Sequence, residues 1–476
     1  MKICVINGSP KGQSSVTLQT VYYLEKHFPS DSFTVLDVGQ KIRALENSEE
    51  KLNAAINVML ESDLMLFSYP VYTFIAPAQL HKFIELVKKS PLSEGLKGKL
   101  ATQISTSKHF YDVTAHKYIE DNCNDLGLSY FTGLSADMDD LTKAKGRKEA
   151  FDFWQAVRYA AANGLFKPAR EIKAPRVPVY KKQITSAITA KSTKYDTVII
   201  TNATENDKSL NNMISDFRKM WPYGTRVVNL NEFKFSGGCL GCFNCASSGK
   251  CIYKDNFDSY LRNNIQTADA IVYAVKIADH SFGSRFKLYN DRQFCNGHRT
   301  VTSGMPIGYI FSGAYESEMN VQMITLGRAQ VGGNYLAGIV SDEYDTYARL
   351  ENLCKTLEYS LDAKLTQPAN FYGVGGMKIF RDLIYVMRGL MKEDHRFYKE
   401  HGVYDDLPQK HLGTLFAMKL VGGLMSIPGA TKKSGMSMTK GMLMPYKAAM
   451  NKMDCPIDDS ACEVAEVKEE KELTTV

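Results

Sequence analysis

The 476-residue chain has two tryptophans, ten cysteines and no large excess of charge, with 58 basic residues against 52 acidic ones giving +6. That charge is too small for its length to imply nucleic-acid binding. No apolar run approaches the roughly 18 residues of a membrane-spanning helix. Also missing are the basic start, long apolar core and cleavage site of a signal peptide: "MKICVINGSP" enters an apolar strand at once. The chain is therefore expected in the cytoplasm, where thiols stay reduced and clustered cysteines serve metal or redox chemistry rather than disulfides. The first loop has neither the Walker spacing nor Gly-x-Gly-x-x-Gly, which argues against a nucleoside triphosphate or a dinucleotide there.

The apolar runs that are present are short. "KICVING", "DLMLFSYPVY" and "KLATQISTS" alternate with helix-like "SSVTLQTVYYLEKHF" and "APAQLHKFIELVKK". Buried strands alternating with helices specify α/β architecture, a doubly wound parallel sheet, over residues 1–165. Residues 166–194, rich in proline and positive charge, read as a linker. The pattern then returns over 195–370 in "YDTVIITNA", "TRVVNLNEF", "DAIVYAVKIADHSF" and "GMPIGYIFSGA", so the chain reads as a tandem duplication. Residues 371–453 read as a helical, basic and Met-rich region, better explained as a cap on its own domains than as a membrane-surface segment. Residues 454–476 read as an acidic disordered tail.

The two copies differ in one spacing. From the second strand to the aspartate opening the third, Asn229 to Asp269 exceeds Asp37 to Asp63 by 14 residues, the length of "GCLGCFNCASSGKC". Four thiols, Cys239, Cys242, Cys245 and Cys251, therefore sit on an extra loop at the strand ends, where open α/β sheets bind ligands. Their Cys-x2-Cys-x2-Cys-x5-Cys spacing favours a 4Fe-4S cluster over zinc, whose sites pair cysteines across a longer spacer, and over reduced or regulatory thiols.

In the first copy, "NGSPKGQSSVT" joins the first strand to its helix and offers Ser9, Lys11, Ser14, Ser15, Val16 and Thr17 to a phosphate. Two further loops fall at the same sheet edge. One supplies Pro70, Val71, Tyr72 and Thr73, the other Thr106, Ser107, His109 and Phe110. A phosphate loop beside two aromatic-bearing loops suits a planar ring on a phosphorylated tail, which describes FMN. His395, His401 and His411 lack the spacing of a metal site, and Cys4 reads as packing.

Together "NGSPKGQSSVT", "PVYTFIAPAQLHKFIE" and "TSKHFYD" resemble the flavodoxin-like NAD(P)H-dependent FMN reductase and quinone reductase superfamily, and the cysteine run resembles that of the iron-sulfur flavoproteins. The resemblance implies that the Gly-Ser-Pro loop holds the FMN phosphate and that the two later loops border the ring. It further implies NAD(P)H as electron donor, a small acceptor or redox carrier as partner, and a cluster close to the flavin. The second copy departs from the family: "TNATENDKSLNN" lacks Gly-Ser-Pro and "ADHSFGSRFKLYNDR" lacks Pro-x-Tyr. One half would then keep the flavin and the other the thiols, with the tandem imitating a reductase dimer. A pure electron carrier and a flavin-free scaffold are the competing readings, and a homodimer remains open.

Overall fold

Strands form where apolar runs are buried on both faces: every residue of Ile3–Asn7 and of Leu64–Tyr69 is buried. A computed structural model describes residues 1–170, 175, 177–186 and 191–425. The first half runs β1 (Lys2–Asn7), α1 (Val16–His27), β2 (Ser32–Leu36), α2 (Val38–Glu46), α3 (Glu49–Leu60), β3 (Leu64–Pro70), α4 (Ala78–Lys89), β4 (Leu100–Ser107) and α5 (Asp112–Asp125). It ends with the short β5 (Ser129–Tyr130), β6 (Leu134–Asp137) and α6 (Ala144–Ala162). Its sheet has the order β2-β1-β3-β4-β5, with β6 pairing β4, and all pairs are parallel.

The second half repeats this plan with β7 (Ser192–Thr201), α7 (Lys208–Met220), β8 (Tyr223–Asn229), α8 (Asn244–Ser248), α9 (Phe257–Tyr260), β9 (Ala270–Lys276) and α10 (Gly283–Arg292). It continues through β10 (Pro306–Ser312), α11 (Met319–Gly332), β11 (Tyr335–Ser341) and α12 (Thr346–Asp362). The strand order β8-β7-β9-β10-β11 is that of the first sheet, again all parallel. Both sheets therefore have the flavodoxin-like order, and the chain is α/β.

Equivalent helices of the two halves meet, α4 against α10 and α5 against α11. The contact is reciprocal, as a twofold interface requires. Asp291 at the end of α10 accepts from the Ala78 amide that opens α4 (2.8 Å), and Glu85 of α4 accepts from the Ser284 amide that opens α10 (2.7 Å). Each acid stands seven residues beyond its equivalent amide. Each carboxylate thus satisfies an amide that its helix leaves unpaired and meets the positive end of that helix. Three residues beyond the same amides, His81 bonds Asp279 (3.0 Å) while Lys287 bonds the Tyr72 carbonyl (2.7 Å). Lys287 and Asp291 also form an ion pair that is almost wholly buried.

Several expected boundaries shift. The proline-rich segment carries Tyr180, which is buried in the core of the second half; its hydroxyl donates to Asp216 (2.8 Å) and its amide to Ser209 (3.0 Å). An aromatic among prolines and lysines thus anchors a stretch whose composition reads as linker. The chain divides into compact units 1–403 and 404–476 rather than at residue 370. The first unit keeps α13 (Phe371–Val386) and α14 (Lys392–Glu400). Helix α13 lies on α11, and a Cβ at Gly376 would stand 2.7 Å from Val331 and 2.9 Å from Phe110, so only glycine permits this approach. The second unit contains α15 (Leu412–Met425); most of the Met/Lys-rich segment and the whole acidic tail lie outside the described residues. Among the described residues no helix is long and apolar enough to cross a membrane.

Removing one partner of the buried pair strands the other. Asp291→Ala is expected to destabilise the protein by about 3–5 kcal/mol in urea unfolding, and Lys287→Met combined with Asp291→Leu to recover only part of that loss, because the Ala78 amide, the Thr73 hydroxyl and the Tyr72 carbonyl stay unpaired. A second expectation concerns pH. Burial tends to lower the pKa of His280, but Asp125 across the interface and Glu318 outweigh it and raise it to about 10. The stability His280 contributes is therefore complete below its unfolded value near 6.5 and lost as pH rises through about 10. Urea midpoints measured between pH 6 and 10.5 should fall for the wild type, and His280→Gln should remove this component of the slope.

Candidate functional site

The β1–α1 loop is tied down from within. Asn7 donates to the Gly12 carbonyl (3.0 Å) and to Asp37 (2.8 Å), and its side-chain oxygen accepts from the Ser9 amide (3.2 Å). Ser15 caps α1, accepting from the Leu18 amide. Thr17 is buried on the first turn and its Oγ1 has no hydrogen-bond partner. Among the described residues no carboxylate lies within ion-pair distance of Lys11, whose ammonium stands 5.7 Å from the Phe243 ring centroid.

The loop after β3 turns sharply, with Thr73 and Phe74 both at positive φ (42° and 74°) inside a Tyr72–Ile75 bridge. Two consecutive non-glycine residues in this region are strained and need external support. The second half supplies it: Asp291 accepts from the Thr73 hydroxyl (2.9 Å) and Lys287 donates to the Tyr72 carbonyl. The corresponding turn in the second half has Asp279 and His280 at φ 48° and 57° inside an Ala278–Ser281 bridge, despite lacking Pro-x-Tyr.

The cysteine loop leaves β8 and reaches across to the first half. Gln79 of α4 donates to the Cys239 carbonyl (3.2 Å). Gly241, at φ 61°, lies so close to Tyr72 that a Cβ would collide with the tyrosine hydroxyl. The return arm is clamped by Arg292, which bonds both Asp255 oxygens (2.7 and 2.8 Å) and the Gly237 carbonyl (2.9 Å) and stacks on Tyr253 at 4.4 Å. Burial opposes ionisation of Asp255, but the Arg292 bonds prevail and hold its pKa down to about 2. Helix α14 fixes the far wall: buried Asp394 accepts from the His298 amide (3.2 Å) and ring (2.9 Å), and Tyr398 donates to the His298 carbonyl (3.0 Å).

These elements enclose one cavity of about 210 Å³. Its lining includes Ser9, Lys11, Ser15, Val16, Thr17, Pro70, Val71, Tyr72, Thr73, Thr106, Ser107 and Phe110, together with Cys239, Cys242, Cys245 and Cys251. Two expected residues lie elsewhere. Ser14 is exposed on the short turn preceding α1. His109, at φ 56°, has a half-exposed ring that bonds Asp112 (2.9 Å), so the left-handed backbone sends it away from the cavity. Lys108 lines the wall in its place, paired with Asp137 (2.6 Å). The sequence reading also missed Asp291, Arg292, Phe294 and His298 from the second half and Phe380 from α13. A fifth thiol, buried Cys295, joins them, although it lacks partner spacing.

The residues fit FMN in two respects: an unpartnered buried hydroxyl and a free ammonium stand at the helix start, and an aromatic wall of Tyr72, Phe110, Phe294 and Phe380 stands beyond it. For a metal, the fit lies in the donor set. Four sulfurs share the cavity, and the Gly241 amide donates to Cys239 Sγ at 3.5 Å. Among the described residues, however, no three His, Cys, Asp or Glu side chains are gathered to hold a metal. Burial pushes the Cys239 thiol up to about 12 and Cys245 to about 11, so both stay protonated until a cation displaces the proton.

The corresponding loop of the second half fills itself. Asp207 accepts from the Thr204 amide (2.8 Å) and hydroxyl (2.7 Å) and pairs with Lys276. Asp342 accepts from Ser209 (2.6 Å), Ser312 (2.7 Å) and the Gly313 amide (2.9 Å). Carboxylates hold the donors that a phosphate would need. Gly241→Ala, in contrast, tests the docked thiol loop: it should lift the loop off Tyr72, so that an aromatic disulfide reagent labels Cys239 as readily as exposed Cys242 under native conditions. In the wild type Cys239 should react far more slowly.

Residues 1–157 match the family model described as flavodoxin-like fold. An iron-sulfur flavoprotein of Clostridioides difficile (strain 630) is 25% identical over 140 residues, which is 28% of this chain; the chain spans 59% of that relative's length. Among solved structures, the apo form of the NADH:FMN oxidoreductase EMOB is 17% identical, with 33% of this chain and 89% of that one covered and a TM-score of 0.29. An FMN-dependent NADH-azoreductase from Bacillus anthracis, in complex with FMN, is 15% identical, covering 34% and 99%, with a TM-score of 0.26. By their sequence match and strand order, residues 1–157 have the flavodoxin-like fold, and the second half repeats its strand order in tandem.

Proposed function

We propose that the chain is an FMN-dependent oxidoreductase that passes electrons from NAD(P)H to a small acceptor, such as a quinone, a nitro compound or a flavin, or through a 4Fe-4S cluster to another carrier. One observation carries this reading: the phosphate loop, the two ring loops and all four thiols line a single cavity. The flavodoxin-like match and the iron-sulfur flavoprotein named among the relatives support it at family level.

Bound FMN supplies two-electron chemistry with the nicotinamide and one- or two-electron chemistry with the acceptor. The chain's own part is to bind and orient. Thr17, Ser15 and Lys11 would meet the phosphate; Tyr72 and Thr73 would border the ring on a turn held rigid by Lys287 and Asp291. Burial first, then the neighbouring Cys239 and Asp291, raises the Tyr72 pKa, so its hydroxyl stays neutral and offers a donor rather than a charge. Cys239, Cys242, Cys245 and Cys251 would hold the cluster, as compact cysteine runs do.

Anaerobically purified protein should be coloured, contain iron and sulfide near four of each per chain, and oxidise NADH or NADPH with a quinone. Colour without that oxidation would indicate an electron carrier, and a colourless protein that gains no flavin on titration would contradict the reading. Thr17→Val and Lys11→Met should each weaken FMN binding by about tenfold to a hundredfold, since each removes a donor to a charged phosphate. Flavin fluorescence quenching measures both.

A further inference from the structure

A second cavity, of about 160 Å³, lies between β9, β10, α10 and α11 of the second half and adjoins the first cavity at Thr73, Phe110, Phe294 and Phe380. Arg328 of α11 lines it. Its guanidinium donates to Gln293 Oε1 at 3.3 Å, beside Tyr273 and Tyr309 on the same lining, and among the described residues no carboxylate lies within ion-pair distance. Nearby Lys287 is already neutralised by Asp291, so Arg328 leaves this region with an uncompensated positive charge. Arg328 is partly buried, and with no carboxylate beside it its guanidinium is available to an anion in the cavity.

The remaining polar lining is under-satisfied in the same place. Asn290 and Asn296 are 4% and 6% exposed, each with a side-chain oxygen that lacks a partner, and the Gln293 amide nitrogen is likewise unpartnered. Tyr273 and Tyr309 lie on the same lining, and each hydroxyl can donate to a bound group. The set therefore combines donors for an anion with acceptors for a hydroxyl. On the side shared with the first cavity the wall is aromatic, made of Phe110, Phe294 and Phe380. The volume matches a single ring, since a cavity of about 150 Å³ can hold benzene.

We propose that this cavity is a binding site for a small aromatic hydroxy-carboxylate, with the carboxylate on Arg328 and the ring against the aromatic wall. The site shares its aromatic wall with the proposed FMN cavity, but Arg328, Asn290, Gln293 and Asn296 lie outside that cavity, and the site does not require that FMN binds.

Isothermal titration of the full chain with 4-hydroxybenzoate tests it, with neutral 4-hydroxybenzyl alcohol as the control. Saturable binding of the carboxylate is expected, with the alcohol at least tenfold weaker and Arg328→Met at least tenfold weaker than wild type for the carboxylate. Thr17→Val should bind the carboxylate like wild type, which separates this site from the flavin loop. Absence of saturable binding, or equal binding of the neutral alcohol, would overturn the proposal. So would a folded Arg328→Met variant that binds unchanged. If Arg328→Met fails to fold, the carboxylate-to-alcohol contrast in the wild type decides alone.

Discussion

The site depends on one buried ion pair. Lys287 and Asp291 stand one helical turn apart on α10, almost entirely out of water, and between them bond the Tyr72 carbonyl, the Thr73 hydroxyl and the first amide of α4. Desolvating two charges is expensive, and the return here is positional. The pair fixes the strained Thr73–Phe74 turn and, through the same interface, the place where the cysteine loop meets Tyr72. The reciprocal bonds of Glu85 and His81 show the same solution applied in the opposite direction. A covalent tandem thus has the symmetry of a twofold dimer while each half is free to diverge.

That divergence is chemical as well as geometric. In the first half the helix start keeps an unpartnered hydroxyl and a free ammonium; in the second, Asp207 and Asp342 take up the equivalent donors. The second half instead contributes the thiol loop and the Arg292 clamp. Each half therefore brings to the cavity what the other lacks. Helices α13 and α14 complete the enclosure, the first through Phe380 and the second through the Asp394 bonds to His298.

Much of this was legible in the sequence. The apolar runs of β1, β3, β4, β9 and β10 stand out because those strands are buried on both faces, as is the second half of β7, and the 14-residue surplus locates the thiol loop. Strands β5 and β6 are two and four residues long, too short for any period to show. The charges of "GSRFKLYNDR" look like a solvated helix face, yet the docking of the two halves buries Lys287 and Asp291, the return arm of the thiol loop covers Arg292, and no local pattern encodes those contacts. His109 illustrates the opposite error. Its place in the loop is as expected, but a left-handed backbone turns the ring toward Asp112, a detail that residue type alone does not specify. Tyr180 was hidden by its neighbours: prolines and lysines around it suggest a linker, and a single aromatic anchors it.

The central claim is that a flavin's phosphate loop and the four thiols share one enclosed space. Alkylation of metal-free, reduced protein by iodoacetamide, followed thiol by thiol by mass spectrometry with and without saturating FMN, tests it directly. Slower modification of Cys239 and Cys245 in the presence of FMN, with Cys354 in the distant second core unchanged as an internal reference, is the predicted result. Unchanged rates at Cys239 and Cys245 with FMN demonstrably bound would contradict the account.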